Sequence, residues 1–372
     1  MARKLCHPFV HQLLQVVQHI QQLRAHQPGS AFASLAMTTG NTLHLFSAAV
    51  RFLDLRVVNG QHPVMAMLEE VWPALSAIGS NEEMRSMQYV VDGLCELVEC
   101  VMKSVGPGSA PLLPVLLDTV LPVCEMYGFP STLDTFATAA EILGDAGDPS
   151  INSALHRAAI SATSSSMAIL QKTGIPESPE LARSLLEMTH RFAMFAPATI
   201  LGSLSLVQML VQMSIAAGGC RETELARSAY FFLGLLLSPG EKAMRHGAWK
   251  DNYESIRSVL RAEGAGLVCM TLRGLAETAP RQLYRQLSGI LFHGIDVLGH
   301  EAFLEWATRA LLDPEFPGVR TGHLTTESSR MFLDLVLKRP GMHRGRFDAL
   351  AADFAGICRG ESTPDVLIAY AM

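Results

Sequence analysis

Glycine and proline recur along this chain at intervals too regular for an ordinary globular domain. Breakers fall at Gly60 to Pro63, Gly79 to Ser80, Gly106 to Gly108, Gly128 to Pro130, Gly147 to Pro149, Gly174 to Pro179 and Ala196 to Pro197. They continue at Gly218 to Gly219, Pro239 to Gly240, Gly264 to Gly266, Pro280, Gly299, Pro314 to Gly318 and Pro340 to Gly341. The segments between them run to roughly 15–30 residues, so two take about 40, the period of HEAT and armadillo helix pairs. One such pair cannot bury its apolar face alone and depends on its neighbours. The spacing therefore predicts an all-α solenoid of antiparallel helix pairs, one array of about seven or eight pairs over the whole chain.

The segments carry helical periodicity. From Glu82 to Val105 the apolar positions Leu94, Val98, Val101, Met102 and Val105 step by three and four, and Asp92, Glu96, Glu99 and Lys103 form a second stripe with the same step. The pattern predicts one amphipathic helix with a polar face. Ser178, Pro179 and Glu180 supply a capping oxygen, a proline where its missing N–H is harmless, and an acid favoured by the helix dipole. Asp148-Pro149 and Thr278-Ala279-Pro280 read the same way, and Gly106, Gly128, Gly174 and Gly218 sit where left-handed helix ends are wanted. Pro73 should kink or start a helix. The stretches from Leu312 to Ser328 and after Gly360 read as the loosest.

Hydrophobic residues make up 49% of the 372 positions and charged ones 17%, enough apolar material for an extensive core and too little charge for disorder. The seven cysteines, Cys6, Cys95, Cys100, Cys124, Cys220, Cys269 and Cys358, show no disulfide spacing and read as buried thiols. A net charge of −6 argues against a surface that neutralises phosphates, so no direct nucleic-acid ligand is expected. The uncharged stretch Ala198 to Gly219 raises the membrane question. Its glutamines and serines, and the absence of a basic flank, favour a buried helix over membrane insertion.

Motifs for chemistry are sparse. Gly264 and Gly266 could open a dinucleotide fingerprint, but Cys269 occupies the third glycine position and no strand precedes them. Cys95 and Cys100 lie roughly 140° apart around a helix and cannot chelate one metal from it. His293 and His300 would share a helical face without a third ligand, and Trp72 and Trp306 read as core anchors. The chain is therefore expected not to be an enzyme, with no catalytic residue, metal or cofactor.

Charge distribution is more informative. Between Gln61 and Ser150 thirteen acids face two bases, Arg85 and Lys103, while the rest of the chain is net basic. These acids form either a solvated outer face or a surface that attracts basic protein segments by focusing its field. Asp92, Glu96 and Glu99 are the candidate cargo-binding contacts.

Several short stretches resemble one family in order. Val57-Val58-Asn59-Gly60-Gln61-His62-Pro63, then Leu68-Glu69-Glu70-Val71-Trp72-Pro73-Ala74-Leu75, and Val105-Gly106-Pro107-Gly108-Ser109-Ala110 are similar to the transportin-SR branch of the importin-β (karyopherin-β) superfamily. Ile169-Leu170-Gln171-Lys172, Pro179-Glu180-Leu181, Pro197, Ser228-Ala229-Tyr230-Phe231-Phe232, Phe303-Leu304-Glu305-Trp306 and Pro314-Glu315-Phe316-Pro317-Gly318 resemble the importin-thirteen members of that branch, in their C-terminal repeats. The likeness runs from about residue 40 to 360.

By this resemblance the chain is expected to be a nucleocytoplasmic transport receptor, in cytoplasm, nucleus and nuclear pore, with protein cargo, Ran GTPase and nucleoporin phenylalanine-glycine repeats as partners. The family's N-terminal Ran-binding repeats would precede residue 1, so a fragment or truncated form is expected. Matched backward from the Gly106 turn, the arginines with which transportin-SR grips phosphorylated cargo fall on Lys103, Glu99, Glu96 and Gly93. Only Lys103 keeps the sign, which favours a basic cargo over a phosphorylated one. The alternative is a HEAT-repeat scaffold subunit of a regulatory complex.

Overall fold

The computed structural model describes residues 2–23, 30–52, 62–338 and 342–371. The stretch 57–61, the breaker at residues 340 and 341 and the side chain of Cys6 lie outside the described residues. Among those described, every regular element is helical and no strand occurs. The chain is an all-α solenoid of paired helices, and its contacts divide into two compact units.

The first unit comprises Met1–Thr173 and Glu187–Thr199. It contains α1 (Ala2–Leu23), α2 (Ser30–Arg51), α3 (Pro63–Ser80), α4 (Glu82–Arg85), α5 (Gln88–Val105), α6 (Leu113–Thr119), α7 (Leu121–Tyr127), α8 (Pro130–Leu143) and α9 (Pro149–Thr173). Helices α2, α5 and α8 pack side by side as one layer. A second layer runs from α1 to α3 and on through α6 and α7 to α9, and α1–α2, α3–α5 and α8–α9 pack across the layers. Leu13, Phe46, Val71, Leu75, Leu94, Leu97 and Val101 fill the space between layers, and Trp72 packs half-buried against them.

The second unit comprises Gly174–Leu186 and Ile200–Met372, with α10 (Pro179–Phe195) and α11 (Pro197–Leu201) contributing to both units. It holds α12 (Leu204–Gly218), α13 (Thr223–Leu237), α14 (Glu241–Met244), α15 (Gly247–Ala262), α16 (Gly264–Arg273), α17 (Tyr284–Leu298) and α18 (His300–Leu311). The chain finishes with α19 (Pro317–Arg320), α20 (Thr326–Leu337), α21 (Arg344–Cys358) and α22 (Ile368–Ala371). Helices α13, α17 and α21 form one layer, and α12, α16, α18 and α20 the other. Trp249, Phe303, Phe332, Phe347 and Phe354 are fully buried, and the Phe332 and Phe354 rings stack with centroids 3.9 Å apart.

Several helix ends follow from local chemistry. Pro63 opens α3 behind His62, Pro149 opens α9, and Pro179 opens α10, each at a first-turn position that needs no donor. Gly106, Gly128 and Gly174 adopt positive φ at helix ends. Gly218 does not. It is buried where α12 meets Tyr230 and Met270, with the Tyr230 hydroxyl donating to its carbonyl at 2.7 Å, so its job is close packing.

Other expectations need correction. The Glu82-to-Val105 segment is two helices, because Met87 is extended between α4 and α5. Pro73 lies inside α3 and does not start a helix. The Ala198-to-Gly219 stretch holds a buried helix as expected, with Leu206, Val207, Leu210 and Val211 of α12 buried. It breaks at Ser203, however, and the 15-residue α12 is about 22 Å long and short of a bilayer's hydrocarbon core. By length and composition the run Gln88–Tyr127 could cross a membrane, but it comprises α5, a 3-10 turn, α6 and α7, and 56% of its apolar window is buried in the protein. The segment from Leu312 to Ser328 is anchored rather than loose, with Phe316 and Leu324 buried and Thr325 and Ser328 closing a capping box for α20. After Gly360, Leu367 is fully buried.

Candidate interaction surface

Helix α5 lies between α2 and α8, and that position decides what its polar stripe can touch. Glycines let the first pair of helices approach. A Cβ on Gly93 would fall 2.9 Å from the Leu43 Cβ and 3.2 Å from the Gly40 carbonyl oxygen, and one on Gly40 would fall 2.4 Å from the Tyr89 ring. Next to this seam Tyr89 donates to the Asn41 amide oxygen at 2.6 Å. The position that aligned with an arginine in the family resemblance is thus an interhelical contact.

Glu96, one turn further on, faces α2 and is 34% exposed. Its two carboxylate oxygens lie 2.6 Å from His44 Nδ1 and 2.6 Å from Arg51 Nη2. Partial burial pushes its carboxyl up, but the hydrogen bonds and charges of His44 and Arg51 outweigh that and hold the pKa below the ordinary value. Glu99 faces α8 and is 18% exposed, 3.0 Å from Lys103 Nζ, with the Thr135 and Thr138 hydroxyls donating at 3.5 and 3.4 Å. Asp92 is half-buried on the same stripe and, among the described residues, carries no ion pair or hydrogen bond.

The three acids therefore differ. Glu96 and Glu99 tie α5 to its neighbours, while Asp92 leaves its charge uncompensated. Sequence reasoning missed His44, Arg51, Thr135 and Thr138, which lie 36 to 52 residues away and which no local spacing could reveal.

Around this stripe the remaining acids are mostly exposed. Glu82, Glu83, Asp118, Asp145 and Asp148 face solvent, whereas Glu141 pairs with Arg191 and Glu125 accepts from Ser161. Bonds from Ser150 hold Asp148 below the usual carboxylate range. This surface can hold cationic side chains by Coulomb attraction.

The other residues singled out in the sequence take structural positions. Cys95 and Cys100 are buried, and burial pushes the Cys95 thiol up to about 12. Cys124 and Cys358 are buried too, but Cys220 and Cys269 are half-exposed, contrary to the expectation of uniformly buried thiols. His293 and His300 do not share a helix, because Gly299 at φ 92° ends α17 between them. Gly264 opens α16 directly under the half-buried Trp306 ring, where a Cβ would lie 2.3 Å from it, so this glycine serves helix packing.

No family model matches the chain. Among solved structures it is similar to Importin13 in its cytosolic state, with a TM-score of 0.72 and 16% sequence identity over 96% of this chain. The chain spans 38% of the length of that structure. Paired helices stacked in two layers, and the extent of this likeness, establish an importin-like helical-repeat fold.

Proposed function

We propose that this chain is a non-catalytic, protein-binding helical array that serves as a nucleocytoplasmic transport receptor, moving between cytoplasm and nucleus through the nuclear pore. The observation that carries the reading is the likeness to Importin13 over 96% of the chain. Repeat arrays of this type act through extended surfaces, not reacting groups. The acidic quarter of the first unit supports a basic protein cargo, with Asp92 at its centre and Glu96 and Glu99 beside it. Ran GTPase and nucleoporin phenylalanine-glycine repeats are the further partners that the family resemblance implies.

Immobilised chain incubated with cell extract, and separately with phenylalanine-glycine repeat peptides and GTP-loaded Ran, tests the reading. Recovery of basic proteins and retention of the repeat peptides is the expected result. Capture of one stable set of regulatory subunits, with no affinity for the repeats, would replace the transport reading with a scaffold.

A further inference from the structure

The second unit carries a surface of opposite character. Across the layer of α13, α17 and α21 runs an open trough of about 490 Å³ lined by Phe231, Arg285, Gln286 and Arg344. Phe231 is 48% exposed, an uncommon position for a phenylalanine. Arg285 is exposed and, among the described residues, its guanidinium has no ion pair.

Arg344 is held rigidly. Its Nε donates to Asp348 Oδ1 at 2.8 Å, and its Nη2 donates to the Ser288 hydroxyl at 3.1 Å and to the Arg285 carbonyl at 3.2 Å. The guanidinium lies 5.1 Å from the centre of the Phe292 ring, and Gly289 leaves room for it, since a Cβ there would come within 3.2 Å of Nη2. Asp348 is itself fixed by the Ser288 hydroxyl at 2.5 Å. These contacts occupy Nε and Nη2 and leave Nη1 without a hydrogen bond among the described residues. The ordering entropy of a long side chain is thus spent before any ligand arrives. Asp348 offsets one of the two positive charges, and Arg285 supplies the excess.

We propose that this trough docks an acidic segment of a partner protein, with carboxylates against Arg285 and Arg344 and a neighbouring apolar side chain against Phe231. The guanidinium fork of Arg285 favours carboxylate oxygens, Nη1 of Arg344 adds a fixed donor, and the exposed Phe231 ring selects a segment with an apolar residue next to its acids. A free small anion would leave most of 490 Å³ empty, so a peptide is the better match in size. The proposal rests on the protein-binding reading and gives the array a second surface, opposite in charge to the acidic one.

The test is fluorescence anisotropy of the full chain with a labelled Glu-Glu-Leu-Glu-Glu peptide, a Gln-for-Glu counterpart and a Gly-for-Leu counterpart. The acidic peptide should bind, the Gln peptide should not, and affinity should fall as salt rises. Arg285→Glu, at an exposed position that should not disturb folding, should weaken binding at least about tenfold. Phe231→Ser should abolish the preference for Leu over Gly. Equal affinity of Arg285→Glu and the parent chain, or equal binding of the Glu and Gln peptides, would overturn the proposal. If no peptide binds while the same preparation still recovers basic proteins, the trough is refuted and the receptor reading stands. Failure of both removes both.

Discussion

Gly93 of α5 lies against Gly40 of α2, so that a Cβ on Gly93 would fall 3.2 Å from the Gly40 carbonyl oxygen and 2.9 Å from the Leu43 Cβ. Helix propensity alone makes Gly→Ala at such a site stabilising by up to about 1 kcal/mol. The steric term has the opposite sign, since overpacking a tight contact costs about 1–3 kcal/mol. Gly93→Ala should therefore lower the urea midpoint, and Gly93→Arg should lower it further, because α2 occupies the space an arginine would need. A midpoint raised by Gly93→Ala would mean that the seam is looser than described.

Glu96 couples the same seam to pH. Its pKa in the folded protein is depressed, so its contribution is fully present above the unfolded value near 4.5 and is lost as pH falls through the lower folded value. The contribution is small, below about 1 kcal/mol, because Arg51 is 55% exposed and solvent screens the pair. Glu96→Gln should be less stable than the parent at pH 6, and the difference should shrink between pH 4.5 and pH 3. Parallel urea titrations at the two pH values measure it.

At the other seam, Gly264 and Trp306 should behave as a coupled pair. Gly264→Ala places a methyl group 2.3 Å from the Trp306 ring, which must shift at a cost of about 1–3 kcal/mol. Trp306→Leu removes the obstacle, so the alanine should cost less in that background than in the parent. A double-mutant cycle with no coupling energy would show that the ring gives way freely.

How much of this was legible in the sequence follows from the range of each interaction. Pro149 and Pro179 announced helix starts, because a missing N–H at a first-turn position is a local fact. The period of the breakers gave the layered pairing for the same reason. The break at Met87 was invisible, since its neighbours keep a helical rhythm on both sides. Equally invisible was the difference between Glu96 and Asp92. Both lie on one stripe, but only Glu96 meets His44 and Arg51, and that depends on which helix covers α5. Gly93 stood where the family resemblance placed an arginine, and Gly264 opened a fingerprint that Cys269 spoils; the side chains packed over both explain them.

Thiol reactivity should follow burial. Cys95 and Cys358 are pushed up to about 12 by desolvation, and Cys124 is raised by the same cause, so at pH 8 they are protonated and shielded. Cys220 and Cys269 are half-exposed. Brief iodoacetamide treatment of the native chain followed by peptide mapping should modify Cys269 and Cys220 well before Cys95, Cys124 and Cys358, and urea should equalise them. Early labelling of Cys95 would mean that α5 opens readily.

The acidic stripe yields a prediction that separates contact from scaffolding. Reversal at Glu96 or Glu99 removes bonds to α2 or α8 as well as a negative charge, so lost cargo binding in Glu96→Lys could reflect a displaced helix. Asp92 has no such partner among the described residues. If the stripe attracts a basic cargo, Asp92→Asn should weaken recovery of that cargo several-fold at low salt, with an unfolding free energy from urea titration within about 0.5 kcal/mol of the parent, as expected where no named packing or bonding feature is lost. The loss should shrink at high salt, because a partly exposed charge is screened over about 8 Å at physiological ionic strength. Unchanged recovery by Asp92→Asn, alongside lost recovery and lost stability in Glu96→Lys, would assign the stripe to holding α5 in its layer and move the cargo contact to the exposed acids of α4 and the α8–α9 turn.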